Sequence, residues 1–124
     1  MGTYASNTPV ILCIDDDNVA VYVRKLLLEQ AGFHVSVAST AEEGLEIFKS
    51  EQIDLVLSDH FLQGQAGTEI AATMKKLNPE IPIVILSGAV EMPPGIEHAD
   101  LFLSKLEPPP VLLSSIRQLL QRTA

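Results

Sequence analysis

The stretch ILCIDDDN (11–18) ends a short apolar run in three consecutive carboxylates, Asp15, Asp16 and Asp17. Two like unit charges ~4 Å apart repel by about 4 kcal/mol at an effective dielectric of ~20. A chain that delivers them to the edge of a buried element must neutralise them or leave them open to water. Three other strand-like runs end in reactive polar groups, a carboxylate, a hydroxyl and an ammonium: Asp59 after DLVLS, Ser87 after IPIVIL and Lys105 after DLFLS. Two or three carboxylate oxygens, with water and a backbone carbonyl, suit a hard divalent cation, and Mg²⁺ binds through few carboxylates while keeping waters. A carboxylate is also a nucleophile toward phosphorus. Phosphoryl transfer depends mainly on positioning and charge stabilisation. The Lys105 ammonium, with the cation, would neutralise phosphoryl oxygens, and the Ser87 hydroxyl would donate to another. Each residue alone has a plainer explanation: Asp as a turn former or helix cap, Ser87 before Gly88 as a turn, Lys105 as a solvated side chain. Asp17 or Asn18 is expected to cap the following helix.

What brings these positions together is the order of elements. VILCI (10–14) is wholly apolar, as in a strand covered on both faces. A helical pattern follows to about Gln30, with Val19, Val23, Leu26 and Leu27 as the expected inner face and Gly32 at its end. HVSVA (34–38) alternates like a strand nearer the sheet edge. Thr40 to Glu43 reads as a capping box opening a helix with Ala41, Leu45 and Phe48. DLVLS (54–58), IPIVIL (81–86) and DLFLS (100–104) read as three more strands. A helix with Ile70, Met74 and Leu77 precedes Asn78-Pro79, and a last helix with Leu112, Ile116, Leu119 and Leu120 follows the prolines at 108–110. Strand and helix alternate throughout, which implies a parallel sheet with helices on both faces. In such open sheets the functional crevice lies beyond the carboxyl ends of the strands, and those ends are Asp15, Asp16, Asp59, Ser87 and Lys105.

Composition narrows the classes. The chain has 124 residues, 47% apolar, enough for one domain with a real core and no second one. Residues 9–124 form that expected domain, and 1–8 (MGTYASNT) a disordered lead-in or cloning remnant. A net charge of −8 with eight scattered basic residues excludes direct nucleic-acid binding by this domain. A single cysteine, Cys13, permits no internal disulfide and suits a reducing cytoplasm. No run approaches the ~20 apolar residues that cross a bilayer, so no membrane contact is expected.

With I-DD at 14–16, LSD at 57–59, LSGA at 86–89 and FLSK at 102–105, the chain resembles the receiver domain of two-component response regulators from Val10 to the last helix. The resemblance implies a flavodoxin-like, doubly wound, three-layer α/β fold with a five-stranded parallel sheet in the order 2-1-3-4-5. It implies Asp59 as phosphoacceptor, charged from a phosphohistidine on a sensor histidine kinase or phosphotransfer protein, and a cytoplasmic signalling module with no diffusible product. Asp16 and Asp59 would ligate Mg²⁺ directly, Phe61 through its backbone carbonyl and Asp15 mainly through water. Ser87 takes the family's hydroxyl switch position and Phe102 its aromatic one. Gly67 matches a glycine common eight residues past the acceptor. A phosphorylation-dependent homodimer is a further expectation.

Several positions depart from the family pattern. Lys105 is followed by Leu106 and Glu107 rather than directly by proline, so its loop is expected to be set differently. Gln63 and Ala66 replace a common proline and aspartate. Ser87 to Lys105 is shorter than usual, and VEMPPGIEHAD, with prolines that disfavour a helix interior by ~3 kcal/mol, predicts a shortened or missing fourth helix. Phe61 and Ala89 fall where members tune loss of the phosphoryl group to water, and an apolar Phe61 predicts a long-lived adduct. His60 is expected to be a solvent-exposed loop residue. The alternative reading is a pseudo-receiver acting as a phosphorylation-independent interaction domain. A haloacid-dehalogenase-type enzyme needs a second carboxylate that LSDHF lacks, and flavin binding needs a phosphate-cradling loop for which DDDN has the wrong charge.

Overall fold

The computed structural model describes residues 8–62, 65–88 and 95–123; residues 1–7, Gln63, Ala89 and most of the segment expected to replace the fourth helix lie outside the described residues. Five parallel strands form one sheet: β1 (Val10–Ile14), β2 (His34–Ala38), β3 (Leu55–Asp59), β4 (Ile83–Ser87) and β5 (Leu101–Ser104). Their spatial order, β2-β1-β3-β4-β5, is the expected 2-1-3-4-5. The connections carry α1 (Asn18–Gln30), α2 (Ala41–Ser50) and α3 (Gly67–Leu77), and α4 (Pro109–Thr123) closes the fold. Between β4 and β5 the described residues hold one 3₁₀ turn, Ile96–His98, in place of an α-helix.

Strand alternation divides the core into two layers. Ile11, Cys13, Leu55, Leu57, Val84 and Leu86 face α1 and α4, where they meet Val21, Leu28, Leu112, Ile116 and Leu119. Leu12, Ile14, Val56, Ile83 and Ile85 face the other way, onto Ala41 of α2 and Ile70, Ala71 and Met74 of α3. Each fully buried Leu, Ile or Val contributes about 1.5–3 kcal/mol, and burial on both faces fixes which end of each strand reaches the rim.

Local signals set the helix ends. Asp17 Oδ1 accepts from the Val19 and Ala20 N–H groups at 3.0 and 3.2 Å and caps α1. At its other end Gly32 takes φ +100°, while Gly32 N–H donates to Glu29 O and Phe33 N–H to Leu28 O, a Schellman closure that needs a left-handed residue. Thr40 Oγ1 caps α2 by accepting from Glu43 N–H at 3.0 Å, but the Glu43 carboxylate reaches Ser39 N–H, one residue before the expected partner.

Three expectations need correction. In α1 Val21 and Leu28 are buried and the Arg24 side chain is 13% exposed, whereas Val19 is 73% exposed, Val23 59% and Leu26 44%; of the expected inner residues only Leu27 is half-buried. Leu77 of α3 also points outward, at 52%. Strands β3, β4 and β5 begin one or two residues later than DLVLS, IPIVIL and DLFLS: Asp54 and Asp100 serve as side-chain acceptors ahead of β3 and β5, and Pro82, which has no N–H, precedes β4. Asp54 Oδ2 takes Val10 N–H at 2.7 Å, and Asp100 Oδ2 takes Ile83 N–H at 2.8 Å and the Lys75 ammonium at 2.7 Å.

Cys13 sits fully buried in β1, and burial pushes its thiol up to about 12, against a smaller downward pull from Arg24. An acid whose pKa is raised on folding keeps its contribution to stability below the unfolded value near 9 and loses it as pH climbs toward 12. Thiol reagents at pH 8 are therefore expected to label Cys13 only after denaturation; rapid labelling of the folded chain would contradict its burial.

Candidate functional site

The carboxyl ends of β1, β3, β4 and β5 meet at one rim. Register places Ser58 of β3 beside Ile14 of β1, Asp59 beside Leu86 of β4, and Ser87 beside Ser104 of β5. The backbone carries the alignment past the strands: Asp15 N–H donates to Ala38 O, His60 N–H to Leu86 O and Lys105 N–H to Ser87 O, at 3.1, 2.8 and 2.9 Å. Carboxylate oxygens of Asp15, Asp16 and Asp59 consequently lie within 4.8 Å of one another, Asp15 and Asp59 buried and Asp16 exposed. Lys105 Nζ stands 2.9 Å from Asp59 Oδ2 and 3.8 Å from Asp15 Oδ2.

This arrangement answers the charge problem posed by the acidic run. Asp17 points away as a helix cap, so three carboxylates share the rim, and each buried one has a cation beside it. Asp15 Oδ1 accepts from Asp17 N–H at 2.9 Å, and its Oδ2 lies 3.2 Å from the Arg24 guanidinium. Asp59 Oδ1 lies 3.4 Å from Phe61 N–H. A convergent, partly open set of carboxylate oxygens is hard-donor chemistry that fits Mg²⁺.

The Lys105 loop reaches its target without the family's proline. Leu106 N–H donates to Ser104 Oγ at 3.0 Å and Glu107 N–H to Ser104 O at 3.1 Å, closing a turn that holds Lys105 over Asp59. Ser87 is fully buried at the end of β4. Phe102, paired with Ile85 in the ladder, is half-buried against the layer that holds α3. Phe61 is 62% exposed, in a short antiparallel ladder in which it pairs with Ala66.

Gly67 has a steric reason to be glycine. A Cβ there would come within 2.6 Å of Asp59 O and 3.0 Å of His60 Cα, both backbone atoms that cannot swing aside. Gly67→Ala is therefore expected to lower unfolding free energy by about 1–3 kcal/mol. Urea melts measure the loss, and an unchanged midpoint would contradict the contact.

The sequence model of the family described as "Response regulator receiver domain" matches residues 11–118. The chain belongs to that family. This receiver is similar to a CheY-like receiver domain protein from Methanospirillum hungatei, at 30% identity and TM-score 0.88, covering 94% of this chain and 97% of that one. It is similar to the response regulator TrrA from Thermotoga maritima in complex with Mg(2+)-BeF, at 25% identity and TM-score 0.86, covering 90% and 99%. Among curated proteins it is 33% identical over 82 residues to the cell cycle transcriptional regulator CtrA of Caulobacter vibrioides, covering 66% of this chain and 36% of that protein. It is 32% identical over 83 residues to the autoinducer 1 sensor kinase/phosphatase LuxN of Vibrio campbellii, covering 67% and 10%. The chain thus spans about a tenth to a third of these two curated relatives. Receiver domains of this kind are phosphoacceptors of two-component systems and work with sensor kinases and phosphotransfer proteins. No described helix is long and apolar enough to cross a membrane.

The receiver's sequence places Asp15, Asp16, Asp59 and Lys105 where the structure unites them. It misplaces His60, which is buried rather than exposed, packed edge-on to Phe61 at 4.8 Å between ring centroids. It misses Arg24 altogether, since a basic residue on the inner stripe of a helix leaves no apolar periodicity to read.

Proposed function

We propose that Asp59 accepts a phosphoryl group from a phosphohistidine on a sensor histidine kinase or phosphotransfer protein, and that the resulting charge switches a protein-interaction surface. The observation that carries this reading is the Lys105 ammonium 2.9 Å from Asp59, inside a cluster whose three carboxylates approach within 4.8 Å. A carboxylate oxygen of Asp59 attacks phosphorus while the phosphorus–nitrogen bond of the donor breaks. Its electron pair returns to the imidazole nitrogen, and an acyl phosphate is left on Asp59. Asp16, Asp59 and the Phe61 carbonyl would hold Mg²⁺, with Asp15 acting mainly through water. When bound, the ion neutralises charge on the phosphoryl oxygens. Lys105 stays with the phosphoryl group as a compact point charge, and Ser87 donates a hydrogen bond to it. The TrrA complex with Mg(2+)-BeF supports the metal assignment.

Phosphorylation adds about −1.5 to −2 charge with new acceptor oxygens. Ser87 is drawn toward them, which vacates space for Phe102 to turn inward and alters the surface around β5 and α4. That is a local charge change coupled to a two-position packing element. A homodimer formed on that surface is part of this reading, as is a cytoplasmic setting, where a kinase would supply the phosphohistidine.

The outer stripe of α1 supports a protein donor. Val19, Tyr22, Val23 and Leu26 repeat at helical spacing and are exposed, and Leu106 in the Lys105 loop is 88% exposed. Exposed apolar groups that share one face of a helix, as on α1, mark interaction sites. Phe61, beside the acceptor, shields the acyl phosphate from water; Phe61→Asn is expected to shorten the adduct's half-life several-fold, and equal hydrolysis rates would contradict it.

The deciding experiment is incubation with acetyl phosphate and Mg²⁺ followed by intact-mass measurement. The parent is expected to gain one phosphoryl unit and Asp59→Asn none. An unmodified parent would favour the phosphorylation-independent interaction domain.

A further inference from the structure

Among the described residues, Arg24 is a cationic group at the rim that the receiver reading leaves without a task. It comes from the second turn of α1, on the stripe with Val21 and Leu28 that packs on the sheet. Its side chain is only 13% exposed, and its guanidinium lies 3.2 Å from Oδ2 of Asp15, a carboxylate with no exposure at all. That oxygen also has Lys105 Nζ at 3.8 Å, and the other Asp15 oxygen already accepts from Asp17 N–H. Both lone-pair faces of Asp15 thus have donors supplied by the chain itself. Three carboxylates face two fixed cations, leaving one net negative charge to attract a divalent ion where a lysine alone would leave two.

We propose that Arg24 is a built-in competitor for the metal: it occupies Asp15 and sets how much divalent cation the site needs. This rests on the receiver reading above and extends it to a residue that touches neither phosphoryl group nor metal. The physical reasons are two. A like charge held close to a cation site opposes binding through space, and partial burial keeps that opposition from being screened. A carboxylate committed to a guanidinium must also give up a charge-assisted hydrogen bond, among the stronger polar contacts in proteins, before it can turn toward a metal or its waters. Arg24 is consequently a positioning residue. It holds Asp15 ready in the metal-free state and offsets the repulsion of Asp16 and Asp59 when no ion is there.

Calorimetric titration with Mg²⁺ alone, and with Mn²⁺ as a second probe, tests the proposal on the parent and on Arg24→Gln, Arg24→Met and Arg24→Lys. Circular dichroism checks the fold of each variant. Arg24→Gln and Arg24→Met are expected to bind Mg²⁺ about tenfold more tightly than the parent, the scale of one nearby charge at partial burial. Arg24→Lys keeps the charge and should return affinity to within a few-fold of the parent. A role confined to packing would not separate Met from Lys in this way. If the parent binds Mg²⁺ and the two neutral variants bind it equally or more weakly, the competitor role is overturned while the receiver reading stands. If neither the parent nor the neutral variants bind Mg²⁺ or Mn²⁺ at millimolar concentrations, the competitor role is overturned, and phosphoryl uptake by the parent from acetyl phosphate decides the receiver reading separately.

Discussion

Asp59→Asn is expected to abolish phosphoryl uptake while leaving the folded state at least as stable as the parent. The functional half follows from chemistry, because an amide is not a nucleophile toward phosphorus and cannot become an acyl phosphate. The stability half follows from the charges around residue 59. Asp59 attracts Lys105 at 2.9 Å and repels Asp15 and Asp16, whose oxygens lie within 4.8 Å. At an effective dielectric of ~20 the attraction is about 6 kcal/mol and each repulsion about 3–4 kcal/mol. Lys105 is a third exposed, so solvent weakens the attraction, and in the variant Lys105 still has Asp15 beside it. The balance lies within about 2 kcal/mol of zero, on the stabilising side. Urea melts should show an equal or higher midpoint for Asp59→Asn; a loss above about 2 kcal/mol would mean that the carboxylate is held by something other than this charge balance.

Lys105→Met should have the opposite pattern, costing stability as well as rate. Removing one partner of a fully buried ion pair costs about 3–5 kcal/mol. Because Lys105 is a third exposed and Arg24 remains on Asp15, a loss of about 1–2 kcal/mol is expected here. Phosphorylation by acetyl phosphate should slow by about 10²-fold, the scale of deleting one preorganised charge stabiliser from a transition state. Lys105→Arg separates the two effects. It restores the charge and therefore the stability, yet its planar fork does not reproduce a compact ammonium, so the rate should recover only in part. Full rates in Lys105→Met would remove lysine from the chemistry.

The parts of this molecule that were legible in the sequence are those written by burial. VILCI, LVL and IVIL are apolar without interruption because both sheet faces are covered, and the polar residues just past them include Asp15, Asp59 and Ser87. The parallel sheet followed from alternation, its order from the resemblance to receiver domains, and the lack of an α-helix among the described residues between β4 and β5 from the prolines there. What could not be read is where polar groups take apolar places. The inner stripe of α1 carries Arg24 between Val21 and Leu28, so counting apolar residues selects the outer stripe of Val19, Val23 and Leu26 instead. Arg24 is inside because a buried carboxylate awaits it, a pairing nine residues apart that helical periodicity does not encode. His60 likewise has no apolar signature, yet the strand that holds Asp59 carries it inward. Asp54 and Asp100 read as strand residues but act as acceptors at strand starts. Each departure is a side chain recruited by a neighbour distant in sequence.

The most direct test of the central claim is to locate the phosphoryl group chemically. Borohydride reduces an acyl phosphate, but not a free carboxylate, to an alcohol, turning a phosphorylated aspartate into homoserine. After incubation with acetyl phosphate and Mg²⁺, reduction and peptide mass spectrometry, homoserine is expected at position 59 and nowhere else. Homoserine at position 15 or 16, or a modified chain with Asp59 untouched, would contradict the account.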